Sequence, residues 1–191
     1  MKTKENTLDR SSTRPAVSGL YPLDEFYVLR GETVPTFDRL ASEELPQPQR
    51  SLLAHQSDMT STLENFYRQR LRVEVLGRHE VENEYCREVA LRLEQGGRRV
   101  EFGAIKIMLD NFPAQARLDI LRERLPLGRI LTESGLEFSS RPSLFLRLVS
   151  DDFINRALGL NGPQVLYGRR NTLADPWDRP LAEIVEILPP A

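Results

Sequence analysis

Few side chains in this sequence place a charge in an apolar setting. The clearest case is Arg87 in the stretch Tyr85-Cys86-Arg87-Glu88-Val89-Ala90-Leu91-Arg92-Leu93. A strand period of two puts Tyr85, Val89, Leu91 and Leu93 on one face, and Cys86, Glu88, Arg92 and Glu94 on the other. Arg87 shares the apolar face. A guanidinium keeps its charge, and an unpaired buried charge is costly. Arg87 therefore requires an anion, either a protein carboxylate or one belonging to a ligand, unless it lies at a strand end and carries its head to water. Glu186 has the parity of Ile184 and Leu188 and so points inward, although Leu181, Val185 and Ile187 make the opposite face apolar too. An Arg87–Glu186 ion pair would satisfy both groups without any function. Two further segments have anion-binding character, Pro126-Leu127-Gly128-Arg129 and Tyr167-Gly168-Arg169-Arg170. Gly128 either lets a backbone N–H approach a ligand or ends a helix. Arg169 and Arg170 project to opposite faces, which leaves one of them for solvent.

The elements that must position these groups are mainly strands. Leu71, Val73 and Val75 alternate with Arg72 and Glu74, a half-buried strand. Tyr85–Leu93 follows, Gln95-Gly96-Gly97 is a turn, and Arg98–Leu109 returns antiparallel. In the return strand Val100, Phe102 and Ala104 share one parity, and Ile105, Ile107 and Leu109 the other. This predicts a bulge near Gly103 or a strand covered on both faces. Val165–Leu173 and Leu181–Leu188 complete five expected strands. Ser51–Arg68 reads as two helical pieces, the second capped by Ser57 or Asp58, with Ser61 and Glu64 at capping-box spacing. Pro113 opens a helix over residues 114–124, with Ala116, Ile120 and Leu121 inward and Pro126 and Gly128 stopping it. Leu144–Leu160 reads as mostly helical with an internal cap at Asp151 or Asp152. Phe26–Leu29 is a strand or docking segment, and residues 34–40 carry a short turn of helix. Residues 1–20 read as a disordered polar tail and 21–191 as one domain. Strands adjacent in sequence with helices inserted predict a single α+β domain built on an antiparallel sheet.

Composition narrows the function. The 191 residues carry a formal charge of −2, which offers no basic face for nucleic acid. Residues 1–50 are too short and Pro-rich for a DNA-binding helix-turn-helix. No apolar run approaches the roughly 18–20 residues of a membrane helix, and no apolar segment follows the basic start to make a secretory signal. The single cysteine, Cys86, excludes an internal disulfide and fits a reducing, cytoplasmic setting. His55 and His79 show no metal-ligand spacing with it, so neither zinc nor any other metal is expected. There is no phosphate-binding loop, dinucleotide fingerprint or nucleophile elbow.

Five short segments in order carry a resemblance: Ser57-Asp58-Met59-Thr60 with Leu63-Glu64, Cys86-Arg87-Glu88-Val89-Ala90-Leu91, Pro126-Leu127-Gly128-Arg129-Ile130-Leu131, Tyr167-Gly168-Arg169-Arg170, and Glu186-Ile187-Leu188-Pro189. Together they resemble the chorismate pyruvate-lyase family, over residues 52–189. The resemblance implies a chorismate lyase-like fold and cofactor-free conversion of chorismate to 4-hydroxybenzoate and pyruvate. It implies that Arg87 and Glu186 line a buried site, completed by backbone groups at Met59-Thr60 and Leu127-Gly128. Chorismate carries two carboxylates. Arg87 would hold one, and Arg129 or Arg169 is the candidate for the other. Glu186 would act as base or hold the ring hydroxyl. Two other functions fit the same fold: a small-molecule-binding domain like the effector domains of transcription regulators, and a chorismate-using enzyme giving another hydroxybenzoate. The segments between residues 75 and 85 and between 134 and 163 depart from the family pattern.

Overall fold

Alternating side chains in the middle of the chain build the sheet around which everything else is laid. In the computed structural model, which describes residues 18–190, seven strands form one antiparallel sheet. They are β1 (Phe37–Leu40), β2 (Leu71–Val81), β3 (Glu84–Leu93), β4 (Arg99–Met108), β5 (Ser139–Val149), β6 (Val165–Ala174) and β7 (Pro180–Leu188), in the spatial order β1-β5-β6-β7-β4-β3-β2. Six α-helices are inserted: α1 (Leu23–Arg30), α2 (Gln49–Leu53), α3 (Met59–Tyr67), α4 (Ala114–Leu121), α5 (Leu127–Glu133) and α6 (Asp152–Leu158). This is the expected α+β architecture, and all five expected strands are strands. The expected polar tail falls almost entirely outside the described residues; Leu20, at its end, is fully buried.

The central strands β3, β4 and β7 are buried on both faces. On one face α1 and α6 cover Cys86, Phe102, Ala104, Val185 and Ile187. On the other, α4 and α5 cover Tyr85, Ile105, Ile107 and Ile184, while α2 and α3 cover Leu91, Leu93, Val100 and Leu188. This double burial, rather than a bulge at Gly103, explains the two apolar parities of β4. The β3–β4 irregularity lies beside Leu91 and Arg92 instead. Gly103 answers a different need: a Cβ there would sit 2.1 Å from the Val185 carbonyl oxygen of β7.

Several local expectations are corrected. The run Phe26–Leu29 is helical, because Phe26 and Tyr27 are buried while Val28 and Leu29 face solvent. Residues 37–40 form an edge strand rather than a helical turn, since they pair with Leu148 to Phe145 of β5. Leu144–Leu160 is not one helix. Its first half belongs to β5, where Leu146 and Leu148 are buried and Arg147 and Val149 exposed, and Pro142 is accommodated at a bulge. Asp151 then opens α6, its carboxylate accepting from Ile154 N at 2.8 Å, and Gly159 closes it at φ 71°. Strand β2 runs past Val75 to Val81 and turns into β3 through Glu82 and Asn83. Helix α4 ends at Leu121, which is largely exposed. Pro126 does not stop that helix but begins α5.

Candidate functional site

The strand registers align three rows of side chains on the face beneath α3 and α5. Val89, Gly103, Glu186 and Arg169 lie side by side across four strands; so do Arg87, Ile105, Ile184 and Asn171, and Leu91 lies opposite Glu101. Above these rows, α3 begins at Asp58, whose carboxylate caps it by accepting from Ser61 N at 2.8 Å. The N–H groups of Met59 and Thr60, in the first turn, have no intrahelical acceptor. Glu64 does not complete a capping box; it accepts from Leu71 N and binds Arg129. Helix α5 lies directly against the α3 cap because residue 128 is glycine: a Cβ there would fall 2.2 Å from Asp58 Oδ1 and 2.9 Å from Thr60 Oγ1. Gly128 therefore serves a close approach between elements rather than a helix end.

Between sheet and helices lies a cavity of about 50 Å³. Met59, Thr60, Leu127, Gly128, Arg87 and Glu186 line it, along with the apolar Val89, Leu91 and Ile105 and with Asp58, Glu101 and Asn171. Six of the eight residues singled out in the sequence thus meet in one place. Arg169 lies just behind, and Arg129 is elsewhere: its guanidinium is bound to Glu64, which keeps it from the cavity.

Of the two partners open to Arg87, a protein carboxylate or a ligand's, Glu186 is not the one it takes: no Arg87–Glu186 ion pair forms. Glu186 is bound instead by Arg169, its register partner on β6. Arg169 is fully buried and also donates to the carbonyls of Leu53 (3.0 Å), His55 (3.1 Å) and Ser57 (3.2 Å). It fastens the α2–α3 loop to the sheet and anchors the Glu186 carboxyl group. His55 belongs to the same knot. Its Nδ1 accepts from Ser57 N and its Nε2–H donates to Leu52 O, and burial beside Arg169 lowers its pKa and keeps it neutral.

Arg87 is left over. It is 2 % exposed, and its Nε and Nη1 have no hydrogen-bond partner among the described residues. Burial depresses its pKa, offset only in part by Tyr85 and Glu123, which are bound to each other. Such a group is normally paired. Glu101, overlooked in the sequence, is the second unusual group. It is buried next to Glu186, and desolvation first, then the Glu186 charge, pushes its carboxyl well above the usual range, so that it keeps its proton. The signal was present: Glu101 shares the parity of Ile105 and Ile107, a carboxylate on a covered face. The cavity therefore presents an unpaired cation, a proton-bearing carboxyl and an anchored carboxylate within apolar walls.

The described residues have the chorismate lyase-like α+β fold, which they share with a solved structure, PhnF from Mycobacterium smegmatis. The two align with a TM-score of 0.55 and 10% identity over 87% of this chain and 92% of that one. A structure described as the ligand-binding domain of a GntR-family transcriptional regulator from Bordetella bronchiseptica aligns with a TM-score of 0.46 and 12% identity, over 62% of this chain and 85% of that one. A transcriptional regulator from Streptomyces coelicolor aligns with a TM-score of 0.45 and 15% identity, over 64% of this chain and 88% of the other. No family model matches the sequence, and no curated protein matches it.

Proposed function

We propose that this domain binds a small organic carboxylate between the sheet and the starts of α3 and α5, with Arg87 as the principal anchor. The observation that carries the reading is the unpaired, buried Arg87 guanidinium. A ligand carboxylate accepting from this guanidinium would supply the missing anion. The first-turn N–H groups of Met59 and Thr60 add donors to the same side of the cavity. Glu101, holding its proton, donates to a ligand oxygen, and Glu186 accepts from a ligand hydroxyl. Apolar Val89, Leu91, Ile105 and Leu127 fit a ring between these poles. The cavity is far smaller than the roughly 300–1,000 Å³ of an occupied small-molecule pocket. Entry therefore requires α3 and α5 to lift from the sheet, and binding and rearrangement are one event.

The test is calorimetric titration and thermal unfolding with a panel of benzoate, 4-hydroxybenzoate, chorismate and the neutral benzamide. Carboxylates should bind and raise the unfolding temperature, and benzamide should not. Arg87→Met should weaken binding by about 2–5 kcal/mol, roughly 30-fold to several thousand-fold. Carboxylate affinity unchanged in folded Arg87→Met protein would overturn the proposal.

A second reading, turnover of chorismate to 4-hydroxybenzoate and pyruvate, is favoured by the order of the five sequence segments and by a carboxylate and a proton-bearing carboxyl sharing one water-poor cavity. In it Glu186 takes the ring hydrogen, or holds the substrate while the hydrogen moves within it. Pyruvate released stoichiometrically with an aromatic acid establishes it. Bound chorismate recovered unchanged assigns the domain to binding alone.

A further inference from the structure

On the opposite face of the sheet, β2 and β3 bring together two residues that look unrelated in the sequence. His79 and Cys86 are register partners across the hairpin, and Glu25 of α1 reaches over both. Its Oε2 lies 3.2 Å from His79 Nε2 and 3.9 Å from Cys86 Sγ. One donor atom from each of the three residues falls within 4.8 Å of the others. We propose that Glu25, His79 and Cys86 form a binding site for a zinc-like divalent transition-metal ion, clamping α1 to the β2–β3 hairpin.

The dimensions fit. Bond lengths of roughly 2.0–2.3 Å to nitrogen, oxygen and sulfur give tetrahedral edges of ~3.3 Å for N···O and ~3.6 Å for S···O. The contacts present, 3.2 and 3.9 Å, lie within a few tenths of an ångström of these. The donor set selects the ion: a thiolate and an imidazole with one carboxylate suit zinc or cobalt(II), not magnesium or calcium. The imidazole is already oriented, its ring packed edge-on against Phe26 at 4.8 Å. Cys86 is 1 % exposed, with only the long contact to Glu25. Without metal the thiol keeps its proton, since burial and then the nearby Glu25 charge push its pKa up to about 12. Metal binding would exchange that proton for the cation, releasing it to solvent.

Lys106, the only lysine among the described residues, is bound to Glu84, which moderates its repulsion of a cation. Glu25 and His79 are partly open to water, which leaves a route in and a solvent molecule as fourth ligand. His79 Nδ1 is buried without a hydrogen-bond partner among the described residues. The imidazole thus lacks the outer acceptor that tightens permanent sites, so the site is suited to reversible loading. It lies on the other face from the Arg87 cavity and does not depend on the function proposed there.

Cobalt(II) titration of the full chain tests the assignment. One equivalent should bind with intense tetrahedral absorption and a thiolate-to-cobalt charge-transfer band, release about one proton, and be displaced by zinc. The chain has one cysteine, so a thiolate band can come only from Cys86. Glu25→Gln, a change on the partly exposed side of α1, should keep the fold and weaken binding about tenfold or more. If Cys86→Ser fails to fold, X-ray absorption of the wild-type zinc complex decides instead: one sulfur in the first shell supports the site. A first shell of nitrogen and oxygen only, or cobalt absorption without a thiolate band, would overturn it.

Discussion

Arg87 and Glu88 are neighbours on β3, equally buried at 2 % and 1 % exposed, and they face opposite sides of the sheet. Glu88 has its counter-ion: Arg30 of α1 donates from Nη1 at 2.7 Å. The Arg30 guanidinium in turn lies 3.8 Å from the Phe153 ring centroid and 5.0 Å from that of Tyr27. Burial raises the Glu88 pKa, and the Arg30 contact partly offsets that. Arg87 has no such partner among the described residues. The chain thus gives one buried charge a counter-ion, although Glu88 Oε1 and Arg30 Nη2 keep no hydrogen-bond partner among the described residues, and gives the next charge none. The Glu88 face carries an ion pair within the protein, while the Arg87 face is a demand for an anion. Predictions about the two can be ranked by how much each would disturb that contrast.

The largest effect belongs to Arg169. Arg169→Met should leave Glu186 buried without its cation and strip the donors from the carbonyls of Leu53, His55 and Ser57. Breaking a buried pair of this kind costs about 3–5 kcal/mol. Urea unfolding should show this loss, with the α2–α3 loop exchanging its amide hydrogens fastest. A variant as stable as wild type would mean that Glu186 needs no cationic partner.

Arg87→Met and Glu88→Met should move stability in opposite directions. Replacing an unpaired buried guanidinium with an apolar side chain of similar length should stabilise the unliganded protein by about 1–4 kcal/mol, while ligand binding is lost. Glu88→Met removes one member of an ion pair. Because Arg30 can turn towards water, the loss should be smaller than for Arg169, about 1–3 kcal/mol. Equal and same-signed shifts in the two variants would dissolve the contrast between the faces.

The sequence showed Arg87 because a charge broke an otherwise apolar parity, and the same rule applied to β4 would have exposed Glu101. Other features depended on distance in the fold. Nothing local reveals that Glu186 takes Arg169 rather than Arg87, since that choice follows from the β6–β7 register. The Glu25–His79–Cys86 group stayed hidden because β2 was expected to end at Val75, whereas its continuation to Val81 is what sets His79 opposite Cys86. Strand β5 was missed because Pro142 and Ser143 interrupt its alternation, leaving an apolar run too short to tell strand from helix. Helix α1 was missed because Phe26–Leu29 is apolar throughout, although only half of it faces inward.

Glu101 sharpens the comparison through pH. Its folded pKa lies above that of an unfolded glutamate, about 4.3, so its contribution is fully present below that value and lost as pH rises through the folded pKa. Glu101→Gln, which mimics the protonated form, should therefore match wild type in acid and become progressively more stable than wild type as pH rises. The gap should grow by up to roughly 1.4 kcal/mol per pH unit while wild-type Glu101 stays protonated in the fold. Chemical unfolding of both proteins across this range provides the measurement. Parallel stability curves would show that Glu101 ionises freely.

The smallest effect is predicted at Arg30, and it tests whether the two faces are independent. Arg30→Lys keeps the positive charge and one hydrogen bond to Glu88. It gives up the planar stack on Phe153 and the second contact, to Glu32 at 3.0 Å. Arg30 is about a quarter exposed, so water compensates much of the change, and a cost of about 0.5–1 kcal/mol is expected. Carboxylate binding should be untouched, because the altered contact ends on Glu88 while the proposed ligand meets only the opposite face of β3. Calorimetry on Arg30→Lys with the same carboxylates reads this directly. An affinity change of tenfold or more, about 1.4 kcal/mol, would mean that a shift of Glu88 is passed along the backbone to Arg87. The Arg30–Glu88 ion pair would then be part of how Arg87 is set.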